Sequence, residues 1–297
     1  MRWHYFRSQK GNVQEGYLTI SRILVFFLIL SRSISAGDEI KADPRPVVVA
    51  TTTMIGSMVE ILAPDEIKLI ILIPPDCCPG HFDLKPRDVV LLSRASLIVR
   101  HDFQDYLDRK LESLNFSVPV VSLDSPGNLI IPDFYLQALE RMKDILETNF
   151  PGLSRGLEAN LESARRVVGD AGKAAREKIV ISGLVGLTAL SAEKQADFLR
   201  WIGIRVPAVF DDSPEQLSLL NLKNVVEAGN REKVDLVVGN LQSGGERTAR
   251  NIAREIGKPF CILSSFPKSS NSNSTYAALL LENINLLTRA RKESVHP

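Results

Sequence analysis

Val47-Val48-Val49-Ala50 is an unbroken apolar run between a polar lead and Thr51-Thr52-Thr53. It shows neither alternation nor helical period and is mostly β-branched, the pattern of a strand buried on both faces. Runs of the same kind recur at residues 67–73, 97–99 and 118–123, each bounded by Pro, Asp or Ser. Between them, apolar residues fall at helical spacing over 54–62, 86–93 and 104–114. Strand alternating with helix predicts a parallel sheet wrapped by helices.

The second half of the chain repeats the rhythm. Strands are expected at 178–182, 206–210, 234–238 and 259–264, and helices at 190–201, 214–228, 246–256 and 276–291. Between the halves, residues 133–176 carry no strand pattern. Phe134, Leu136, Leu139, Met142, Ile145 and Leu146 recur at helical spacing, Pro151-Gly152 interrupts them, and Leu157, Leu161, Ala164 and Val168 mark one face of a second helix. The expected fold class is therefore α/β: two similar lobes, each a small, mostly parallel sheet flanked by helices, joined by a long rigid linking helix. The expected boundaries are 37–150 for the N-terminal lobe, 151–177 for the linking helix and 178–297 for the C-terminal lobe.

Upstream of the first strand, residues 1–22 are polar and hold Arg2, Arg7, Lys10 and Arg22, and residues 23–30 are uniformly apolar. Ser31-Arg32-Ser33-Ile34-Ser35-Ala36 then ends in small residues. A charged region, a short apolar region and a small-residue site read as an export signal over 1–36. Eight apolar residues are too few to span a membrane core, which takes about 20. The expected location is extracytoplasmic, in the periplasm or at the cell surface, with membrane anchoring if the signal is not cleaved. The alternative is a buried core helix.

Composition narrows the function classes. With 36 Lys+Arg against 35 Asp+Glu the net charge is +1, which gives no global attraction to nucleic acid or an anionic surface. Aromatics at 6% do not supply a base-stacking platform, and three Cys in 297 residues do not make a disulfide scaffold. The chain has no G-x-G-x-x-G after a strand, no P-loop, no H-E-x-x-H and no G-x-S-x-G.

In open parallel sheets, ligands bind beyond the carboxyl ends of the strands. Those ends carry Thr51-Thr52-Thr53, the loop 74–81 (Pro-Pro-Asp-Cys-Cys-Pro-Gly-His), Arg100-His101-Asp102 and Asp124-Ser125 in the first half. The second half contributes Ser182-Gly183, Asp211-Asp212-Ser213, Gly239-Asn240-Leu241-Gln242 and Ser264-Ser265. Of four His, His4 lies in the export segment and His296 in the tail, so the two within the body, His81 and His101, both fall at strand ends. Cys77 and Cys78 lie within four residues of His81. Thiolate and imidazole together are the donors that borderline and soft transition metals prefer. The alternative is that adjacent Cys are small apolar fillers and His81 a loop hydrogen-bonder. Cys261 falls in a strand and reads as core. Asp211-Asp212 before Ser-Pro reads as a turn and helix cap, with acid–base work as the alternative.

The loop Pro74-x-x-x-x-x-Gly80-His81 followed by Pro86-Arg87-Asp88, with Val47–Ala50 before it and Ala95-Ser96-Leu97-Ile98-Val99 after it, resembles the metal-binding substrate-binding proteins of ABC importers for zinc and manganese. The resemblance covers about residues 47–290. It implies two α/β lobes on a rigid helix, metal in the cleft between them, and no enzymatic activity. It also implies a ligand set of one His from the loop after the second strand, two further His and a carboxylate. His81 matches the first. At the second position, after Pro132, stands Asp133; at the third Ser182-Gly183-Leu184 offers none; at the carboxylate positions stand Asn240 and Ser264 or Ser265.

Two explanations follow. The site is rebuilt from Cys77, Cys78, His81, His101 and Asp133, or the ligand is a metal chelate rather than a bare ion. Thr52, Asp211, Asn240 and Ser264 are expected to line the cleft. The expected function is capture of a transition-metal ion, zinc or manganese, as transported ligand, and delivery by a monomer to an ABC permease with its ATPase. An enzyme on the same two lobes, using Asp211, Asp212 or His101 as base, and a surface adhesin are the alternatives from other classes.

Overall fold

The structure, a computed structural model, describes residues 43–211, 219–270 and 275–295. Residues 1–36, where an export signal is expected, and Asp212, Ser213 and His296 lie outside the described residues. Residues Arg45–Pro297 form one compact unit that holds both lobes.

The first lobe runs β1 (Val47–Ala50), α1 (Thr53–Leu62), β2 (Lys68–Ile71), α2 (Pro86–Leu92), β3 (Leu97–His101), α3 (Tyr106–Ser113) and β4 (Val120–Leu123). Helices α4 (Pro132–Asn149) and α5 (Ser154–Ile181) follow. The second lobe runs β5 (Thr188–Ala192), α6 (Glu193–Ile202), β6 (Arg205–Phe210), α7 (Leu219–Arg231), β7 (Leu236–Asn240), α8 (Glu246–Ile256), β8 (Phe260–Leu263) and α9 (Thr275–Val295). The two sheets have the orders β2-β1-β3-β4 and β6-β5-β7-β8, with every pairing parallel. Strand for strand, the second lobe repeats the topology of the first.

The strand period of two explains how each sheet is covered on both faces. In the first lobe Val48, Ala50, Leu97 and Val99 point into a core that runs on through α1, α4, α5 and α9. Val49 and Ile98, on the opposite face, pack with Leu92 and Leu111 under α2 and α3. In the second lobe Leu236 and Val238 join the same central core, and Leu190 and Val237 pack outward with Val225 and Ile252 under α7 and α8. The central core is therefore shared by both lobes. Helix α5 supplies its floor through Leu157, Leu161, Ala164, Val168, Ala171, Ala175 and Ile179, one stripe at three- and four-residue spacing over 28 residues.

That stripe corrects one expectation. Residues 178–182 are not a strand: α5 continues to Ile181, and Gly183 at φ +60° ends it. Val180 and Ile181 are β-branched, yet 69% and 86% exposed on the side of the helix away from the core. The first strand of the second lobe is Thr188–Ala192, so the expected helix start at 190 moves to Glu193.

β7 and α8 approach closely at Gly239. A Cβ there would stand 2.7 Å from Ile262 Cδ1 and 2.9 Å from Ala249 Cβ, closer than carbon atoms pack. Gly239→Ala is expected to lower stability by about 1–3 kcal/mol through overpacking, read as an earlier urea midpoint. An unchanged midpoint would show that α8 yields freely.

Candidate functional site

In each sheet the chain leaves its first strand to one side and returns on the other, so the loops after β1 and β3, and after β5 and β7, part company. Such switch points leave a crevice at the strands' carboxyl ends. The two crevices face each other. Thr53 Oγ1 donates to Pro267 O at 2.6 Å, and Gln242 Nε2 donates to Pro75 O at 2.6 Å, both from one lobe to the other.

The first-lobe wall is made by Thr51, Thr52, His101 and Gln104, all buried. Thr52 caps α1, its Oγ1 accepting from Ile55 N, and the same oxygen lies 2.8 Å from His101 Nε2. Thr51 Oγ1 donates to Gln104 Oε1 at 2.7 Å, and Gln104 Nε2 donates to Pro79 O at 3.1 Å. Tyr106 Oη donates to the same carbonyl at 2.9 Å. The His101 ring is stacked on Phe103 at 5.0 Å and on Phe266, from the second lobe, at 5.8 Å. Burial brings its pKa down to about 4, with Asp102 pulling weakly the other way. At neutral pH the cleft therefore holds an uncharged imidazole.

The loop 74–81 lies between these walls, held at Pro79 by the first lobe and at Pro75 by the second. It brings Cys78 Sγ and His81 Nδ1 to 3.5 Å from each other. Cys77 turns elsewhere: its thiol faces Asp76 Oδ1 at 3.9 Å and it packs against the outer core of the first lobe. Burial, and then the Asp76 carboxylate, push that thiol up, so it stays protonated. His101 is engaged with Thr52, and Asp133 is exposed in the first turn of α4. Among the described residues no three His, Cys, Asp or Glu side chains are grouped to hold a metal ion.

The second-lobe wall is built from amides and hydroxyls. Gln195 Nε2 donates to Asn240 Oδ1 and to Ser265 Oγ, each at 3.1 Å. Asn240 Nδ2 donates to Ser243 Oγ, and Gln242 bridges Ser264 Oγ and Ser265 N on its way to Pro75. Gln195 is fully buried, yet its Oε1 has no hydrogen-bond partner among the described residues. Turning the amide over would leave the NH₂ unmatched instead, so the deficit belongs to the site and not to the amide's assignment.

Asp211 follows β6 and lines a cavity of about 330 Å³ with Phe210 and Val225, which no residue of this wall lines. A larger cavity, about 650 Å³, is walled by Pro75 and Asp76 from the first lobe and by Ser264, Phe266, Leu279 and Glu282 from the second. Of the residues singled out from sequence, Thr52 and His101 stand in the first-lobe wall and Asn240 and Ser264 in the second. Gln104, Gln195 and Phe266 were not among them. Gln195 and Gln104 each sit three residues past a switch-point strand, and that spacing was the available pointer.

Residues 48–128 match the sequence model of the family described as ZnuA, zinc-uptake complex component A, periplasmic. Uncharacterized protein RP014 of Rickettsia prowazekii (strain Madrid E) is 22% identical over 157 residues, 49% of this chain. The chain spans about half the length, 52%, of that relative. Among solved structures, the periplasmic zinc-binding protein TroA from Treponema pallidum superposes with a TM-score of 0.67 at 16% identity, covering 83% of this chain and 99% of TroA. The substrate-binding protein FpvC of Pseudomonas aeruginosa, in complex with Mn²⁺, gives 0.68 at 17% identity over 84% and 99% of the chains. The Mn-bound periplasmic metal-binding protein of Candidatus Liberibacter asiaticus gives 0.68 at 12% identity over 82% and 99%. The two-lobe fold is thus that of periplasmic metal-binding proteins, and these neighbours are binding proteins rather than enzymes. Among the described residues no helix is long and apolar enough to cross a membrane.

Proposed function

We propose that this protein is an extracytoplasmic solute-binding protein that takes a transition metal of the zinc or manganese type into the interlobe cleft and delivers it to an ABC permease and its ATPase. The observation that carries the reading is the loop 74–81, which follows the edge strand β2, presents Cys78 Sγ and His81 Nδ1 side by side and is bonded to the second lobe at Pro75. Imidazole and thiolate are the donors such ions select. The family match over residues 48–128 includes this loop. The zinc and manganese in the names of TroA and the Mn-bound neighbours support the same class of cargo.

Delivery follows from how the lobes are tied. They share one core and α5 runs beneath both, so wide hinge opening would expose that core. Loading and release then fall to the loops, above all 74–81, whose ties to the second lobe include the single Gln242–Pro75 bond.

Native mass spectrometry of the protein purified from its own host tests the reading. One metal per chain is expected, lost from His81→Ala. A metal-free protein, or a His81→Ala variant that keeps its metal, would sink it.

A further inference from the structure

With bonds of about 2.3 Å to sulfur and about 2.0 Å to nitrogen, tetrahedral coordination sets an S and an N donor about 3.5 Å apart. Cys78 Sγ and His81 Nδ1 stand 3.5 Å apart. Both belong to a short surface loop. A loose loop would hold two side chains at that spacing only part of the time, and ordering it would weaken binding.

Pro79 lies between the two donors in sequence and is buried, whereas Cys78 is half-buried and His81 exposed. Its ring fixes its own φ and disfavours the helical region at Cys78. Its carbonyl oxygen accepts two hydrogen bonds, from Gln104 Nε2 at 3.1 Å and from Tyr106 Oη at 2.9 Å. Phe82 O is 3.5 Å from the same hydroxyl, so the one hydrogen of Tyr106 belongs to Pro79.

Both donors are themselves fixed. Gln104 is fully buried, and its Oε1 accepts from Thr51 Oγ1 at 2.7 Å and from the backbone N–H of His101 at 3.0 Å. That N–H can only donate, so Oε1 must face it and the NH₂ must face Pro79 O. Tyr106 opens α3, which is anchored by the buried Leu107 and Leu111. One turn further on, Lys110 Nζ reaches Asp83 Oδ1 at 2.8 Å, but this pair is exposed and contributes little. The firm grip on the loop is therefore the Pro79 carbonyl, one residue after Cys78 and two before His81.

We infer that Tyr106 and Gln104 are positioning residues for the metal. They clamp the Pro79 carbonyl and so keep Cys78 Sγ and His81 Nδ1 at the spacing one ion needs, without touching the ion. This rests on the metal-cargo reading above and adds how its donor pair is kept ready.

Tyr106→Phe is the test, because it keeps the ring on α3 and removes only the donor. Gln104 is a poorer target, since its loss leaves the buried Thr51 hydroxyl and His101 N–H unpaired. The reduced protein is titrated with cobalt(II), and a sulfur-to-cobalt charge-transfer band reports the pair. Cys78→Ser should remove the band. Tyr106→Phe should keep it at saturation and bind cobalt about fivefold more weakly, the effect typical of one hydrogen bond. Tyr135→Phe takes the same oxygen from a buried tyrosine of the shared core. It controls for lost stability alone and should keep the parent's affinity.

Unchanged affinity in Tyr106→Phe, or equal weakening in both Tyr variants, overturns the clamp and leaves the metal-cargo function standing. Cobalt bound by the parent without the band overturns the donor pair, and the clamp with it. No cobalt bound by the parent overturns the metal-cargo reading itself.

Discussion

Tyr135→Ala is expected to destabilise the protein by about 3–5 kcal/mol, the range for removing a fully buried aromatic. Tyr135 stands on α4 and its ring stacks on Tyr276 of α9 with centroids 4.0 Å apart, so one pair ties the interlobe helix to the second lobe. Its hydroxyl is spoken for as well. Ser57 Oγ gives its one hydrogen to Met54 O, so at the 3.1 Å contact Tyr135 must be the donor to Ser57. Tyr276 Oη meanwhile donates to Ile130 O across the lobes. Truncation empties a space bounded by α1, α4 and α9 that cannot close without moving a helix. Tyr135→Phe keeps the stack and loses one hydrogen bond, for about 1 kcal/mol. Urea unfolding of the two variants beside the parent reads both numbers. Equal, small losses from both would mean that the stack contributes nothing and that the lobes are held elsewhere.

This tie bears on function because, among the described residues, the other ties on the cleft side are single contacts. Thr53–Pro267 joins the start of α1 to a loop, Gln242–Pro75 is a hydrogen bond between loops, and the His101–Phe266 contact is a stack of two rings. Beneath them the shared core and α5 hold the lobes in one frame.

The strands were legible in the sequence wherever they held a run of β-branched residues buried on both faces, as at Val47–Ala50, and, with bounds shifted from 234–238, at Leu236–Asn240. The pattern failed at Thr188–Ala192, whose Thr-Ala-Leu-Ser-Ala is small and half polar. That strand is fully buried because neighbouring β6 and β7 pair with it on both sides, which is a tertiary fact. Val180-Ile181 drew the strand instead, since local β-branching is the same in a frayed helix end as in a strand. Continuing the stripe Leu157, Leu161, Ala164, Val168, Ala171, Ala175 to Ile179 would have kept the helix intact.

The site was legible to a similar depth. Strand ends and the scarcity of His pointed to His81, His101 and their loops. Whether those side chains meet depends on directions no spacing encodes: Cys78 turns to His81 and Cys77 turns to Asp76, although the two Cys are adjacent. The amide wall was less visible, because Gln and Asn carry no strong sequence pattern and gain their meaning only from being buried together. Placing the third expected ligand at 182–184 also depended on the displaced strand. The first strand of the second lobe ends at Ala192-Glu193 and leads into Gln195 instead.

Acid is expected to weaken this protein in a specific window, through His101. Its folded pKa is about 4 against an ordinary 6.5, because burial disfavours the charged ring. The unfolded chain takes up the proton near pH 6.5, and the folded chain refuses it until about pH 4. Between those values only the unfolded state gains from protonation, so stability falls as pH falls. At about 1.4 kcal/mol per unit the loss approaches roughly 3 kcal/mol near pH 4, and it vanishes above pH 7. Below pH 4 both states bind the proton and the slope flattens.

The chain's many other ionisable groups make the measurement a difference. Urea unfolding of the parent and of His101→Gln at pH 7 and pH 4.5 should show the parent losing about 2 kcal/mol more than the variant. Equal losses would mean that the folded ring protonates as readily as the unfolded one. His101 would then be reached by water, and the stack between Phe103 and Phe266 would not exclude solvent from the cleft. A parent-specific loss would instead locate an acid-sensitive contact at the first switch point, where the imidazolium would have to leave Phe266 and so release one of the ties across the cleft.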